Sequence, residues 1–163
     1  MFQLSKFKKA DIYNGKLLKY SVWYLVNAIL INSFFPFSKI KIILLKIFGA
    51  QIGKNVTIRN NVNIKFPDKL KIGNNVWIGS YVWIDNIDNV IIRDNCCISQ
   101  GAYFCTGNHD YKKETFDLIS EEITINKNSW VGAKSIIGPG VILKENSILS
   151  LGSIITKKQN SNA

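Results

Sequence analysis

The 163-residue chain is short of histidine and cysteine, with one and three respectively, and each scarcity excludes a class of protein. An odd number of cysteines without paired spacing argues against a disulfide framework and is typical of a reducing compartment. Cys96 falls at an inward position of the repeat described below. Cys105 has no second histidine or base pattern near it that would indicate a nucleophile. A zinc site of three histidines needs more ligands than one such chain carries.

Acidic residues are also few. The chain has 11 Asp and Glu against 21 Lys and Arg, so its net charge is +10. This balance favours an anionic partner, namely a phosphorylated cofactor, an anionic membrane or a nucleic acid. Because the sequence contains no RNA- or DNA-binding motif, nucleic acid is not expected as a partner.

Long uninterrupted apolar runs are missing as well. Residues 20–37 are apolar but include Asn27 and Asn32, which makes the run marginal for a bilayer span. No small-residue cleavage site follows it, so a signal peptide is not expected and a cytoplasmic location is predicted. Residues 1–51 are predicted to form a helical segment that caps one end of the fold.

A second apolar stretch, residues 39–50, is rich in lysine and leaves an alternative open. In that alternative the N-terminus is a foot on the inner face of a membrane, with Lys39, Lys41 and Lys46 near anionic headgroups.

The chain is rich, by contrast, in a repeat of six residues. An aliphatic residue or phenylalanine recurs at that spacing in five groups of three. The fifteen positions are Ile52, Ile58, Ile64; Ile72, Ile78, Ile84; Ile92, Ile98, Phe104; Ile125, Val131, Ile137; Leu143, Leu149, Ile155. This period matches neither an α-helix nor a simple amphipathic strand and is typical of a coiled solenoid of short strands. Three strands and three corners make one coil, so an all-β solenoid of about five coils is predicted over residues 52–163.

The period is interrupted three times, each time after the third strand of a coil. At 64–72 and 84–92 the spacing grows from six to eight residues, and at 104–125 it grows to 21. The insertions should therefore leave from one edge of the solenoid. The longest, loop 105–124, carries His109.

Corners and outward positions differ in composition. Gly and Asn recur at the corners, as at Gly73, Asn75 and Gly79, and both tolerate the positive φ that a tight corner needs. The outward strand positions are instead apolar: Trp77, Trp83, Tyr103, Trp130, Ile136, Ile142, Ile148 and Ile154. A monomer would expose these side chains to water, so they predict burial in a closed oligomer.

Three segments together resemble the hexapeptide-repeat acetyltransferases, and more narrowly the branch typified by the colanic-acid-biosynthesis acetyltransferase. They are LLKIFGAQIG (44–53), VWIDNIDNVIIRDNCCISQGAYFCTGNHDY (82–111) and ITINKNSWVGAKSIIGPGVILKENSILSLGSIITK (123–157). The resemblance implies a left-handed parallel β-helix and a homotrimer. It also implies direct acyl transfer from acetyl-CoA to a hydroxyl or amine, with no covalent enzyme intermediate and no required metal.

The resemblance makes His109, in the motif TGNHDY, the catalytic residue. A neutral imidazole is suited to remove a proton from a sugar hydroxyl, which is a poor nucleophile at neutral pH. Asp110 is a candidate for orienting the imidazole, although a turn role or a backbone carbonyl in its place stays open. The resemblance suggests a backbone N–H near Ala133 as the donor to the oxyanion.

Further candidates lie on the insertion edge and in the last coils. For the acceptor they are Asp85 and Asn86, together with Asn108 and, less directly, Asp88 and Trp83. The positions that match the family's coenzyme contacts are Ala133, Leu151, Thr156 and Lys157, with Lys158 as a further phosphate contact. The family usually has Gly-Ala where this chain has Ser150 and the bulkier Leu151.

The predicted function is O-acetylation of a sugar in exopolysaccharide, capsule or lipopolysaccharide biosynthesis. Two alternatives remain to be distinguished from it: an N-acetyltransferase acting on a nucleotide-linked amino sugar, and a catalytically inactive structural trimer. A zinc enzyme of the γ-carbonic-anhydrase type is excluded by the single histidine.

Overall fold

Three parallel sheets wound into one solenoid make up most of the chain. The computed structural model describes residues 2–7 and 12–157 and shows five coils preceded by a helical segment. Each coil places one short strand on each of three faces, A, B and C, and the strands are numbered along the chain. Face A consists of β1 (Gln51–Ile52), β4 (Leu70–Ile72), β7 (Val90–Ile92), β12 (Ile123–Ile125) and β15 (Ile142–Leu143). Face B consists of β2 (Thr57–Ile58), β5 (Trp77–Ile78), β8 (Cys97–Ile98), β13 (Trp130–Val131) and β16 (Ile148–Leu149). Face C consists of β3 (Asn63–Ile64), β6 (Trp83–Asp85), β9 (Tyr103–Cys105), β14 (Ile136–Ile137) and β17 (Ile154–Ile155).

The strand registers confirm the six-residue period as the organising pattern. On face A the parallel pairings place five residues in one buried column: Ile52, Ile72, Ile92, Ile125 and Leu143. Faces B and C align their own sixes in the same way. Because strand alternation sends every second side chain inward, these columns form one continuous core along the solenoid axis.

Edge AB, where the chain turns from face A to face B, is built from a ladder of asparagines. Five of them adopt positive φ of 55–59°: Asn55, Asn75, Asn95, Asn128 and Asn146. Each side-chain amide donates to the next asparagine in the ladder, at 3.0, 3.1, 3.2 and 3.1 Å. The expectation of positive φ therefore holds for asparagine at this edge.

The glycines at the corners have a different reason. Gly73 and Gly79 do not adopt positive φ. A Cβ on Gly73 would lie 2.8 Å from the backbone nitrogen of Asp94, and one on Gly79 would lie 2.6 Å from that of Gln100. These positions need glycine because the next coil passes too close for a side chain.

Asn95→Ala is expected to lower the free energy of unfolding by about 1–3 kcal/mol, since alanine in the left-handed region costs about 1–2 kcal/mol and two amide contacts are lost. Asn95→Gly removes the same contacts but accepts the backbone conformation, so it should cost less. Urea unfolding of both variants measures the difference. A glycine variant no more stable than the alanine variant would contradict this account of the ladder.

All three insertions leave from edge CA, where the chain passes from face C to face A of the next coil, as the interruptions predicted. The first contains a short 3₁₀ helix, Pro67–Lys69, and the second is residues 86–89. The third contains an antiparallel hairpin of β10 (Gly107–His109) and β11 (Leu118–Ser120). His109 is thus presented at this edge by the largest insertion.

The helical segment closes the open end of the first coil. It comprises a 3₁₀ turn (Leu4–Lys6), α1 (Leu17–Val26), a π-helical turn (Asn27–Ile31) and α2 (Ser38–Ile47). The Trp23 indole N–H donates to the carbonyl of Ile64 at 2.8 Å, and the Ile58 N–H donates to Ser38 Oγ at 2.8 Å. Since an unpaired strand edge is a template for unwanted pairing, these side chains stabilise the first coil by occupying its edge.

Lys41 does not fit the membrane-foot alternative, which set it near anionic headgroups beside Lys39 and Lys46. Its side chain is fully buried, and Nζ donates to the carbonyl oxygens of Ile31 at 3.2 Å and Arg59 at 2.8 Å. Burial lowers the pKa of the Lys41 ammonium, and the positive charge of Arg59 lowers it further. The ammonium is therefore committed to two backbone carbonyls, and Lys41 does not reach a headgroup.

The outward apolar residues do not form a single strip. Trp77, Trp130 and Ile148 project from face B, whereas Ile142 lies on face A. The remaining four, Trp83, Tyr103, Ile136 and Ile154, line up on face C. Apolar surface is consequently available on two neighbouring faces, B and C. Within the described ranges no helix is long and apolar enough to cross a membrane.

Candidate active site

The His109 imidazole is half-buried at the end of β10, and a backbone carbonyl fixes its orientation. Nδ1 lies 2.8 Å from the carbonyl oxygen of Phe116. Because a carbonyl can only accept, Nδ1 carries the hydrogen and the lone pair is left on Nε2. The Phe116 ring stacks on the imidazole, with centroids 4.3 Å apart and planes 2° apart. Phe116 itself adopts a φ of +49°, a conformation that costs a bulky residue about 1–2 kcal/mol.

The two neighbours of His109 serve the hairpin. The Asp110 carboxylate accepts the N–H of Lys112 at 3.1 Å, and among the described residues no hydrogen bond joins it to the imidazole. The orienting role that the sequence offered to Asp110 therefore passes to the Phe116 carbonyl. Asn108 is exposed, and its Oδ1 accepts the His109 N–H at 2.8 Å.

Thr106 ties the hairpin to the insertion one coil below. Its N–H and its hydroxyl each donate to the carbonyl of Asp85 at 3.2 Å, and its Oγ1 accepts the N–H of Asp88 at 3.0 Å. The Asp88 carboxylate in turn accepts the Ser120 hydroxyl at 3.1 Å. Thr106 precedes His109 by three residues, which span at most about 10 Å. Asp85 and His109 are thus held in one neighbourhood, as their shared edge predicted.

Asp85 presents a carboxylate at the border of face C and edge CA. Its Oδ1 accepts from Lys65 Nζ at 2.8 Å, and its Oδ2 accepts the Tyr103 hydroxyl at 3.3 Å. Burial raises the pKa of Tyr103, and Cys105 and the negative charge of Asp85 raise it further. Tyr103 consequently stays protonated and remains a donor to Asp85.

Asn86 does not face this neighbourhood. It is fully buried, its Oδ1 accepts the Phe66 N–H at 3.0 Å, and its Nδ2 donates to the Phe66 carbonyl at 2.7 Å. Both polar atoms are used in stacking one coil on another. The acceptor contact predicted for Asn86 is therefore replaced by a structural role.

A cavity of about 600 Å³ opens between α1 and face C beside Asp85. Its walls are mostly apolar and aromatic, with Tyr13, Tyr24 and Trp83 among them, and Asp85 and Lys65 supply charge. Aromatic walls with a few polar groups are typical of small-molecule sites. Sequence reasoning did not find this cavity. The available signal was the spacing of Leu17, Tyr20 and Tyr24, which share one helix face and all line it.

The residues proposed for coenzyme contact divide between two edges. Ala133 and Leu151 lie at edge BC, whereas Thr156 and Lys157 follow β17 at edge CA. Lys158 lies outside the described residues. Lys157 is ion-paired with Glu121, and Leu151 is exposed. The Ala133 carbonyl accepts the Gly152 N–H at 2.8 Å, while its own N–H has no partner among the described residues. One chain therefore places His109 and Asp85 on the same edge but Ala133 on a different one.

Comparison with known proteins identifies relatives of the whole chain. A family model described as "Hexapeptide repeat of succinyl-transferase" matches residues 69–103 and 122–157. A protein of Escherichia coli (strain K12), assigned by inference as the colanic acid biosynthesis acetyltransferase WcaF, is 31% identical over 153 residues, which is 91% of this chain and 82% of the relative.

Solved structures give the same fold. A galactoside acetyltransferase in complex with coenzyme A superposes with a TM-score of 0.79 at 25% identity, covering 91% of this chain and 76% of that one. A hexapeptide-repeat acetyltransferase of Vibrio cholerae complexed with acetyl-coenzyme A superposes with a TM-score of 0.79 at 18% identity, covering 93% and 84%. The five-coil solenoid is accordingly that of the left-handed β-helix proteins.

Proposed function

Because this chain belongs to the hexapeptide-repeat acetyltransferases, we propose that it transfers an acetyl group from acetyl-CoA to a sugar hydroxyl of a polysaccharide precursor. The relative that matches most of its length is assigned to colanic acid biosynthesis. Galactoside acetyltransferase, whose structure was solved with coenzyme A, shares the fold. An aromatic cavity with a carboxylate at its border suits a saccharide. The aromatic side chains can stack on the faces of the sugar ring, and the carboxylate can accept hydrogen bonds from the sugar hydroxyls.

The orientation of His109 carries the proposed mechanism. With Nδ1–H held by the Phe116 carbonyl, Nε2 is the basic atom. Nε2 takes the proton of the acceptor hydroxyl as its oxygen forms a bond to the thioester carbon. The tetrahedral intermediate then collapses with cleavage of the carbon–sulfur bond. The proton passes from Nε2 to the departing sulfur, so the products are the acetyl ester, free coenzyme A and the original neutral imidazole.

The oxyanion needs a donor, and the Ala133 N–H is the proposed one. It has no partner among the described residues, but it lies at edge BC and His109 at edge CA. A second copy that sets its edge BC against edge CA of the first would bring the two together. The apolar side chains on faces B and C favour such packing, and we propose a homotrimer with composite sites. Sedimentation as a stable monomer at micromolar concentration would contradict this assembly.

The acceptor is proposed to lie between the cavity and His109. Asp85 has lone pairs beyond those used by Lys65 and Tyr103, and Trp83 offers an aromatic face that is about half exposed. Asn108 is an exposed side chain next to the base and can contact the same sugar. Thr156 and Lys157 remain candidates for the coenzyme, with Lys157 able to exchange Glu121 for a phosphate.

A thiol-release assay tests the reaction class. Acetyl-CoA is supplied with a panel of hydroxyl sugars and matched amino sugars, free and nucleotide-linked, and liberated coenzyme A is measured. Release that depends on a hydroxyl acceptor is the expected result. Release only with amino sugars would favour N-acetylation, and no release with any acceptor would favour an inactive structural trimer.

The helical segment carries the proposed peripheral contact with a membrane. Eleven large apolar side chains of this segment are exposed: Leu17, Leu18, Val22, Tyr24, Leu25, Ile29, Phe34, Phe37, Ile40, Ile43 and Ile47. Residues 12–67 contain eight Lys or Arg and no Asp or Glu. Four of these are already used: Lys16 and Lys19 pair with Asp68, Lys65 pairs with Asp85, and Lys41 is buried. The exposed ones left to face headgroups are Lys39, Lys46, Lys54 and Arg59. Apolar side chains beside exposed basic residues are the features that bind an anionic lipid surface. The acceptor cavity shares Leu17, Tyr24 and Leu25 with this surface, so a lipid-linked acceptor would be presented directly to it.

Leu18→Asp with Phe34→Asp is expected to weaken binding to phosphatidylglycerol-containing vesicles at least about tenfold, because two apolar side chains are lost from the contact and two negative charges are added. Ile142→Asp, on face A of the last coil, is the matched control and should bind as the wild type does. Vesicle co-sedimentation measures binding, and light scattering measures assembly. Unchanged vesicle binding together with loss of the trimer would instead assign this surface to contact between copies.

A further inference from the structure

The first described residues of the chain are docked on the hairpin that carries His109. The N–H of Gln3 donates to the carbonyl of Glu114 at 2.9 Å, and the Lys6 ammonium is ion-paired with the Glu114 carboxylate. The Phe2 ring stacks on Phe116 with centroids 4.4 Å apart. Segment 2–7 therefore contacts the hairpin through a backbone bond, an ion pair and an aromatic pair, although more than a hundred residues separate them in sequence.

Phe7 extends this contact to the imidazole itself. Its ring meets His109 edge to face, with centroids 5.6 Å apart and planes at 67°. Phe116 covers the imidazole in a parallel stack and also supplies the carbonyl bonded to Nδ1. Phe7 thus contacts the imidazole from outside the hairpin, in addition to the stack that Phe116 makes from within it. A single hydrogen bond to Nδ1 permits the ring to swing, and an aromatic neighbour on another side restricts that swing.

We infer that segment 2–7 is a strap that holds the general base in place, with Phe7 as a positioning residue for His109. The inference rests on the proposed function of His109. Phe7 has no role in proton transfer; it acts by limiting the positions that Nε2 can occupy relative to the acceptor oxygen.

The strap is also close in sequence to a residue of the acceptor cavity. Tyr13, which lines the cavity, follows Phe7 by six residues, a separation of at most about 20 Å along the chain. Tyr13 packs edge to face against Phe66, with centroids 6.0 Å apart, at the base of the first insertion. Phe7 contacts the base and Tyr13 lines the cavity, so the chain length between them keeps the strap within about 20 Å of the cavity wall.

The alternative is that the strap only pads an exposed hairpin. Padding would change thermal stability but leave the geometry of the base unaltered. Positioning predicts instead a fall in kcat at unchanged KM for acetyl-CoA, because Phe7 is not among the residues proposed to bind the coenzyme. The conservative substitution Phe7→Tyr should keep kcat near the wild-type value, since tyrosine retains the aromatic edge that contacts His109.

The single histidine permits a direct readout. The imidazole ¹H–¹³C signals of His109 can be recorded without ambiguity, because the chain has no other histidine. Phe7→Ala is expected to shift these signals and to lower kcat about tenfold or more, as misplacement of a catalytic group by a fraction of an ångström does. Phe35→Ala is the matched control, a phenylalanine of the helical segment whose ring pairs with Phe37 and not with the hairpin, and it should leave both unchanged.

The outcomes separate this inference from the proposed function. If the wild type transfers acetyl groups and Phe7→Ala has the same kcat, the strap does not position the base, whether or not the histidine signals move. If the wild type releases no thiol with any acceptor, the proposed function fails, and unshifted histidine signals in Phe7→Ala would overturn the contact as well. If Phe7→Ala loses its fold or assembly, Phe7→Leu removes the aromatic edge at similar volume, and it must then show the loss of kcat.

Discussion

His109→Ala is expected to lower the turnover number by roughly 10²–10⁴-fold, which is the range for loss of a general base. The imidazole is the sole histidine of the chain, and its Nε2 is the atom left basic by the Phe116 carbonyl. Fold and assembly should survive, since the side chain is only half-buried and lies on an inserted hairpin outside the core columns. The measurement is thiol release from acetyl-CoA with a hydroxyl acceptor, alongside sedimentation and thermal unfolding.

Asp110→Ala is the matched control for this substitution. Its carboxylate closes a turn on the Lys112 N–H, so its loss should cost a few-fold at most in turnover. A His109→Ala enzyme with near wild-type turnover would reject the mechanism. An Asp110→Ala enzyme as impaired as His109→Ala would return the orienting role to Asp110.

Lys41→Ala is expected to lower the free energy of unfolding by about 3–5 kcal/mol, because it removes a buried aliphatic side chain and leaves two carbonyls without their donor. The oxygens of Ile31 and Arg59 both accept from Nζ. Urea unfolding followed by circular dichroism measures the change. Lys46→Ala, an exposed lysine of the same helix, should cost less than about 0.5 kcal/mol.

Lys41→Met separates packing from hydrogen bonding and also has a signature in pH. It fills most of the same space, so its cost should fall to about 1–3 kcal/mol for the unmet carbonyls. In the wild type the folded pKa of Lys41 lies below the usual 10.5. Between those two values the unfolded chain binds a proton that the folded chain does not, so this lysine adds stability as pH rises through the window. The methionine variant should lack that rise, and a parallel rise in both proteins would contradict the assignment.

The solenoid was predictable from the sequence because the pattern that specifies it is short and recurs in every coil. Each six-residue unit repeats the same inward pair, and its partners lie one coil away, 18 or 20 residues along the chain except across loop 105–124. Ile52 therefore meets Ile72, and Ile58 meets Ile78, whichever residues occupy the corners. The insertion edge followed from the same regularity, since all three breaks come after the third strand of a coil and must therefore leave from one edge.

Side-chain roles at the cap and the site were less accessible. Lys41 reads as a surface lysine until the π-helical turn places a carbonyl above it, and Asn86 reads as a loop residue until the coil below offers the backbone of Phe66. Phe7 and His109 both lie outside the six-residue repeat, so the repeat could not predict their contact. In each case the deciding partner is distant in sequence and specific to this chain.

Because every insertion is confined to edge CA, loop length in this protein can vary without any change in strand pairing. The chain passes from β14 to β15 in residues 138–141, and from β9 to β12 in residues 106–122, yet β12 and β15 lie side by side in register. Loop length at this edge is thus uncoupled from the framework. Under the proposed function, exchange of a loop at this edge would change the acceptor that is bound without altering the strand registers of the coils, which makes this edge the place to graft a new specificity.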